Sequence, residues 1–201
     1  MFDLGNVVIS ISFEPMYSFW AGKLNMDMAE IKRRFHFDLQ YERFERGEIG
    51  GGDYYRHVNS CLDGRLSYAD FLTGWNSIYL GTVPGIEDLL SSLKCAGAPA
   101  YRIAALTNTN SLHHAVWREL YKDVLSYFDR IYCSYELKMR KPDKGIFEFI
   151  LKEYGAGPGE ALFIDDNKDN IEKAVSMGIP SILACPTADF IASLKARLER
   201  A

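Results

Sequence analysis

The chain has 201 residues, 48% of them hydrophobic and 25% charged, with a net charge of −4, enough to bury a core in one domain with an insertion or in two small ones. Its longest cationic run is Lys32-Arg33-Arg34, which leaves no footprint for nucleic acid or an anionic membrane, and no apolar run approaches a membrane span. Four scattered cysteines, Cys61, Cys95, Cys133 and Cys185, show no disulfide or metal spacing and point to reduced thiols used for packing in a cytoplasmic protein.

The first residues are an apolar pair, Asp3, and a turn-forming Gly5-Asn6 followed by β-formers. Asp3 is expected at the carboxyl end of a central strand. Such strands usually run five to six residues, so the natural start is expected to be longer. Residues 14–82 carry helical spacing instead: Met28, Ile31 and Phe35; Tyr54, Val58 and Cys61 or Leu62; Phe71, Trp75, Ile78 and Tyr79. About four short helices are predicted, with glycines making a turn at 46–52.

From 83 onward helices alternate with short apolar strands. Pro84 opens a helix with Ile86, Leu89, Leu90 and Leu93 inward and Gly97 as its stop. Strands are predicted at 102–108 and 129–134, then a helix with Ile146, Phe149 and Ile150 inward that stops at Gly155. A third strand ends in Asp165-Asp166, a helix starts at Asn170, a fourth strand covers 180–184, and an amphipathic helix presents Phe190, Ile191, Leu194 and Leu198.

This alternation predicts an α/β fold, a Rossmann-like parallel sheet covered by helices on both faces. Residues 1–13 and 83–201 would form it, with 14–82 as an inserted helical block. Ligands of such sheets bind beyond the carboxyl ends of the strands, where Asp3, Thr107-Asn108 and Asp165-Asp166 converge. Singly, each has an ordinary explanation as a turn, a helix cap or a solvated pair. Together with Lys141 at the amino end of a helix they make a candidate site.

The stretches FDLGN, LTNTN, KMRKPD and FIDDNKDNIEKA resemble, in order, the four short motifs of the haloacid dehalogenase-like superfamily. The helical block falls where one large branch of that family carries a cap. The resemblance covers essentially the whole chain and implies a Mg²⁺-dependent hydrolase of phosphate monoesters. Asp3 is the implied nucleophile, forming an aspartyl-phosphate. A divalent cation offsets repulsion between carboxylate and phosphate; its implied ligands are Asp3, the backbone carbonyl of Gly5, and Asp166. Asp165 and Asn170 would orient those ligands. Lys141 would supply positive charge, and Thr107 and the Asn108 N–H would hold phosphoryl oxygens. Asn110 and His113 are further candidates for the substrate pocket, although His113 and Trp117 at i, i+4 could equally be packing.

Gly5 departs from the pattern. Many of these phosphatases have a second aspartate there, a general acid–base worth about 10²–10⁴-fold. Dehalogenases of the superfamily also lack it, but they use no metal, and Asp165-Asp166 would then set idle negative charge beside the nucleophile. A non-catalytic phosphate-ligand or protein-binding domain is the other alternative, and the presence of Asp3, Thr107, Lys141 and Asp166 speaks against it. A leaving group that departs easily would also explain Gly5, and an anomeric hydroxyl is more acidic than an ordinary alcohol. FDLGNV, FERGEI, LTNTNSLHHAVW and MRKPD resemble the bacterial α-D-glucose-1-phosphate phosphatase group, which implies a small sugar phosphate as substrate. His113, His114 and Glu14 are candidates for activating water. Glu42, Arg43, Arg46 and Glu48 are either pocket groups or, more commonly, surface ion pairs. The expected partner is a phosphorylated small molecule, with oligomeric state left open.

Overall fold

The apolar runs that follow residue 101 are too short to bury anything alone, and they become strands by pairing in parallel under two layers of helices. The structure, a computed structural model, describes residues 1–95 and 101–198; the predicted helix stop at Gly97 lies outside them. In chain order, β1 (Ile9–Ile11) precedes α1 (Glu14–Leu24), α2 (Met28–Arg34), α3 (Leu39–Glu45), α4 (Gly51–Cys61) and α5 (Tyr68–Trp75). Then come β2 (Tyr79–Thr82), α6 (Ile86–Cys95), β3 (Ala104–Thr107), α7 (Ser111–Leu120), α8 (Lys122–Leu125), β4 (Arg130–Cys133) and α9 (Ser134–Leu137). The rest is α10 (Lys144–Tyr154), β5 (Phe163–Asp165), α11 (Lys168–Ser176), β6 (Ser181–Leu183) and α12 (Ala188–Leu198).

Residues 1–3 lie in the middle of the sheet. Phe2 bridges Ala105 on one side and Ile164 on the other, both parallel, and the Asp3 N–H donates to the Ile164 carbonyl at 2.8 Å. β3 pairs with β4 and β5 with β6, again parallel. The spatial order is therefore β6, β5, residues 1–3, β3, β4. Side chains alternate between faces as a pleat requires. Ala105 and Ile164 join Leu89, Leu90 and Ile191 on one face, while Ala104, Leu106 and Phe163 join Ile146, Phe147 and Ile150 on the other.

The inserted helices have a core of their own, and it is largely aromatic: Trp20, Phe35, Phe44, Tyr54, Phe71 and Trp75 are all buried. There are five helices where about four were predicted. Gly50 caps α4, and Gly51 enters its first turn, where a Cβ would come within 3.0 Å of the Leu112 side chain on α7. Glycine there lets the insert approach the sheet domain closely. Gly47, at φ +60°, is tighter still, since a Cβ would collide with the Tyr135 carbonyl.

Three predicted inward faces differ from the structure. Ile78 and Tyr79 do not continue α5. The chain turns at Asn76 and enters β2, which pairs antiparallel with β1 and forms the ribbon between the insert and the sheet. Met28, the first residue of α2, is 36% exposed, whereas Ile31 and Phe35 are buried. On α10 the buried face is Ile146, Phe147, Ile150 and Leu151, with Phe149 only partly covered. α11 starts at Lys168, earlier than predicted, because the Asn167 side chain accepts from the N–H groups of Asp169 and Asn170 and caps it. No helix among the described residues is long and apolar enough to cross a membrane.

Candidate active site

Three strand ends and one loop meet at Lys141. Its Nζ donates to Asp3 Oδ1 at 2.8 Å and to Asp165 Oδ2 at 2.6 Å, and the lysine is only 1% exposed. Such an ammonium is tolerable in the interior because two carboxylates face it. Burial would lower the Lys141 ammonium, yet Asp3 and Asp165 hold it above its ordinary value. Burial likewise pushes the Asp3 carboxyl up to about 7, against the pull of Lys141.

The loop carrying Lys141 is fixed by Asn108. Its side-chain amide donates to the Lys141 carbonyl and its Oδ1 accepts from the Lys141 N–H, both at 2.8 Å. Asp165 is held in turn by Asn170, whose Nδ2 donates to both carboxylate oxygens at 3.0 and 3.1 Å, and by the Asn167 N–H at 2.8 Å. Asp165 and Asn170 therefore stand behind Lys141, beside the carboxylates of Asp3 and Asp166. Asp166 has a different partner: Asn6 Nδ2 donates to its Oδ2 at 3.1 Å. Asn6 adopts φ +53°, a conformation asparagine tolerates, and its Oδ1 accepts from the Ile11 N–H at 3.1 Å. Burial raises the Asp166 carboxyl, with Asn6 drawing it down.

Carboxylate oxygens of Asp3, Asp165 and Asp166 lie within 4.8 Å of one another. With Asp165 committed to Lys141 and Asn170, Asp3 and Asp166 are the pair suited to a hard cation. Three carboxylates against one ammonium leave two negative charges that a divalent ion would balance.

These residues line a cavity of about 250 Å³ together with Gly5, Thr107, Asn108, Thr109 and His113. Tyr41 and Glu45 of the insert line it as well, with Phe13 just before the insert begins. Glu45 is 3% exposed and accepts from Arg140 Nε at 3.0 Å. Burial raises its carboxyl against the pull of Arg140. Sequence reading missed Tyr41, Glu45, Arg140 and Asn6. The signal available for Asn6 was its place in the first motif, and for Arg140 its adjacency to Lys141; Tyr41 and Glu45 carried none beyond helical spacing.

Other predicted residues lie elsewhere or are already engaged. Asn110 does not line the cavity. It is fully buried and caps α7, its Oδ1 accepting from the His113 N–H at 3.0 Å. His113 reaches the cavity wall, but its Nδ1 contacts Asn110 at 3.1 Å and its Nε2 the Trp75 carbonyl at 2.9 Å, so it joins α7 to the insert. His114 faces away from the cavity, and Glu14 is an exposed partner of Lys32. Arg43 pairs with Glu48, and Arg46 with Glu42 and Asp143; none of these lines the cavity.

Comparison with known proteins gives a consistent picture. The model of the haloacid dehalogenase-like hydrolase family matches residues 2–178. A D-ribitol-5-phosphate phosphatase from Bacteroides thetaiotaomicron is 24% identical over 184 residues, covering 89% of this chain and 87% of that protein. A haloacid dehalogenase-like hydrolase from Porphyromonas gingivalis has the same fold, with TM-score 0.80 at 24% identity over 100% of this chain and 96% of the other. A family enzyme from B. thetaiotaomicron, solved with magnesium and inorganic phosphate, superposes with TM-score 0.72 at 27% identity over 90% of each chain.

Proposed function

This chain belongs to the haloacid dehalogenase-like hydrolase family, and from that premise we propose that it is a Mg²⁺-dependent phosphatase of a small sugar phosphate. The observation that carries the reading is the buried cluster in which Lys141 bridges Asp3 and Asp165 beside Asp166. Asp3 is the nucleophile. Lys141 holds its Oδ1, and Oδ2 lies on the side of Gly5. Asp3 and Asp166, with the Gly5 carbonyl, would hold the Mg²⁺, which would offset repulsion between the carboxylate and the phosphate. Asn6 orients Asp166. Thr107 and the Asn108 N–H hold phosphoryl oxygens, and attack by Asp3 gives an aspartyl-phosphate that water then hydrolyses. The insert at 14–82 acts as a cap that excludes water and selects substrate through Tyr41 and Glu45.

The cavity is below the size of clefts that hold drug-sized ligands, which supports a small substrate. Gly5 offers no acid to the departing oxygen and so favours a good leaving group such as the anomeric oxygen of α-D-glucose 1-phosphate. The B. thetaiotaomicron relative, a D-ribitol-5-phosphate phosphatase, makes a sugar-alcohol phosphate the natural comparison. The deciding experiment measures phosphate release from α-D-glucose 1-phosphate, D-ribitol 5-phosphate, glucose 6-phosphate and p-nitrophenyl phosphate, with Mg²⁺ and with EDTA. Metal-dependent release led by the 1-phosphate is expected, and release from none of them overturns the phosphatase reading. Gly5→Asp sharpens the test: a Cβ there would sit 3.8 Å from Asp3 Oδ2 and press on Ile11 Cδ1 at 3.1 Å. If the missing acid sets the preference, this variant gains on the alkyl phosphates relative to wild type.

A further inference from the structure

Outside the active site, α7, α8, β4 and α9 line an open groove of about 330 Å³, with Arg118 and Lys122 on its rim, on whose wall His114, Cys133 and Glu136 come together. We propose that these three residues form a second metal site, for a borderline divalent cation such as Zn²⁺. Their ligand atoms already stand near coordination distance. His114 Nδ1 is 3.9 Å from Cys133 Sγ and 3.7 Å from Glu136 Oε1, and all three lie within 4.8 Å of one another. Tetrahedral zinc, with bonds of about 2.0–2.3 Å, sets such atoms about 3.4–3.6 Å apart. A contraction of a few tenths of an ångström at the histidine, and a swing of the half-exposed Glu136 side chain, completes the set.

One imidazole, one thiolate and one carboxylate suit zinc and exclude a hard ion such as Mg²⁺ as the preferred occupant. The open groove supplies the entry path and the fourth position for water. The surroundings preorganise the histidine: its ring stacks on Trp117 at 4.5 Å. Tyr135 Oη lies 2.7 Å from Nδ1 and donates to Glu136 Oε1 at 3.0 Å. That hydroxyl now occupies the direction a cation would take on Nδ1, so binding moves it aside while Glu136 remains its partner. The thiol proton, and any proton on Nδ1, leave to solvent as the cation binds.

Co²⁺ is the probe, titrated into the full chain with Mg²⁺ in excess to keep the acidic cluster filled. One equivalent should produce a near-ultraviolet sulfur-to-cobalt charge-transfer band that Zn²⁺ abolishes. Cys133→Ser should lose the band, with Cys61 and Cys185 still present as internal controls. Glu136→Gln, at a half-exposed position that tolerates the change, should weaken Co²⁺ binding at least about tenfold. Asp166→Asn should leave the band unchanged. Absence of the band at one equivalent, its survival in Cys133→Ser, or an unaltered affinity in Glu136→Gln would each overturn the site.

Discussion

Arg140 and Lys141 are neighbours in the chain and face opposite halves of the molecule. Lys141 points into the sheet domain and is neutralised by Asp3 and Asp165, which come from strand ends. Arg140 points to the insert and is neutralised by Glu45, with Glu42 at 3.5 Å. The two halves also pack differently: aliphatic side chains fill the space around the short parallel strands, whereas large rings fill the gaps between five short helices. One loop thus anchors a reaction centre on one side and a pocket wall on the other. On the core side Lys141 and Asp165 each have more than one polar partner; on the insert side the buried contacts are the Arg140–Glu45 pair and His113, with Arg46–Asp143 a more exposed tie.

Breaking the core half should have the largest effect. Asp3→Asn should lower phosphate release at least about 10⁴-fold, and retained turnover would remove Asp3 from the nucleophile role. Lys141→Ala leaves Asp3 and Asp165 facing each other without their cation. It should cost about 3–5 kcal/mol of stability in denaturant unfolding and about 10²–10³-fold in kcat.

On the insert side, Glu45→Gln keeps the shape and removes the charge opposite Arg140. A loss of about 1.5–3 kcal/mol is expected, together with a raised KM and a smaller change in kcat. His113 tests the seam itself. Burial pushes its imidazole down to about 4, so between that value and the ordinary 6.5 the unfolded chain binds the extra proton. The His113 contribution to stability is therefore full above about pH 6.5 and lost as the pH falls toward 4, by about 2 kcal/mol between pH 7 and 5, while the raised Asp3 carboxyl contributes in the opposite sense over the same range. The difference in unfolding free energy between wild type and His113→Gln, measured across that range, should shift by about 2 kcal/mol; a pH-independent difference would show that the seam does not titrate there. Smallest of all is Arg43→Ala, whose pair with Glu48 is exposed and should be worth less than about 1 kcal/mol, with kcat/KM unchanged for every sugar phosphate.

The sheet domain was legible because its rules are local. Apolar runs of four or five residues ending in polar ones read as parallel strands, and Asp3, Thr107 and Asp165 then fall at one end without further information. Lys141 was legible from its motif, but its two carboxylate partners follow only from the sheet order that sets residues 1–3 between β3 and β5. The helical spacing of the insert gave Tyr54, Val58, Phe71 and Trp75 correctly and carried Ile78 and Tyr79 too far, since a helix pattern does not announce that its last residues pair with β1.

Residues whose role is set by a partner distant in sequence lay beyond such reading. Glu45 looked like one more acid in a charged helix until Arg140, 95 positions away, closed on it. Asn110 and His113 were open in the sequence between pocket and packing; Asn110 turns out to cap α7 away from the cavity, while His113 reaches the cavity wall with its ring nitrogens held by Asn110 and the Trp75 carbonyl. The sequence by itself determined the strand periodicity, the order of the motifs and the chemistry at the strand ends, because these depend on near neighbours. Tertiary structure alone decided which carboxylate meets which cation, because burial and pairing are properties of what the rest of the chain places alongside.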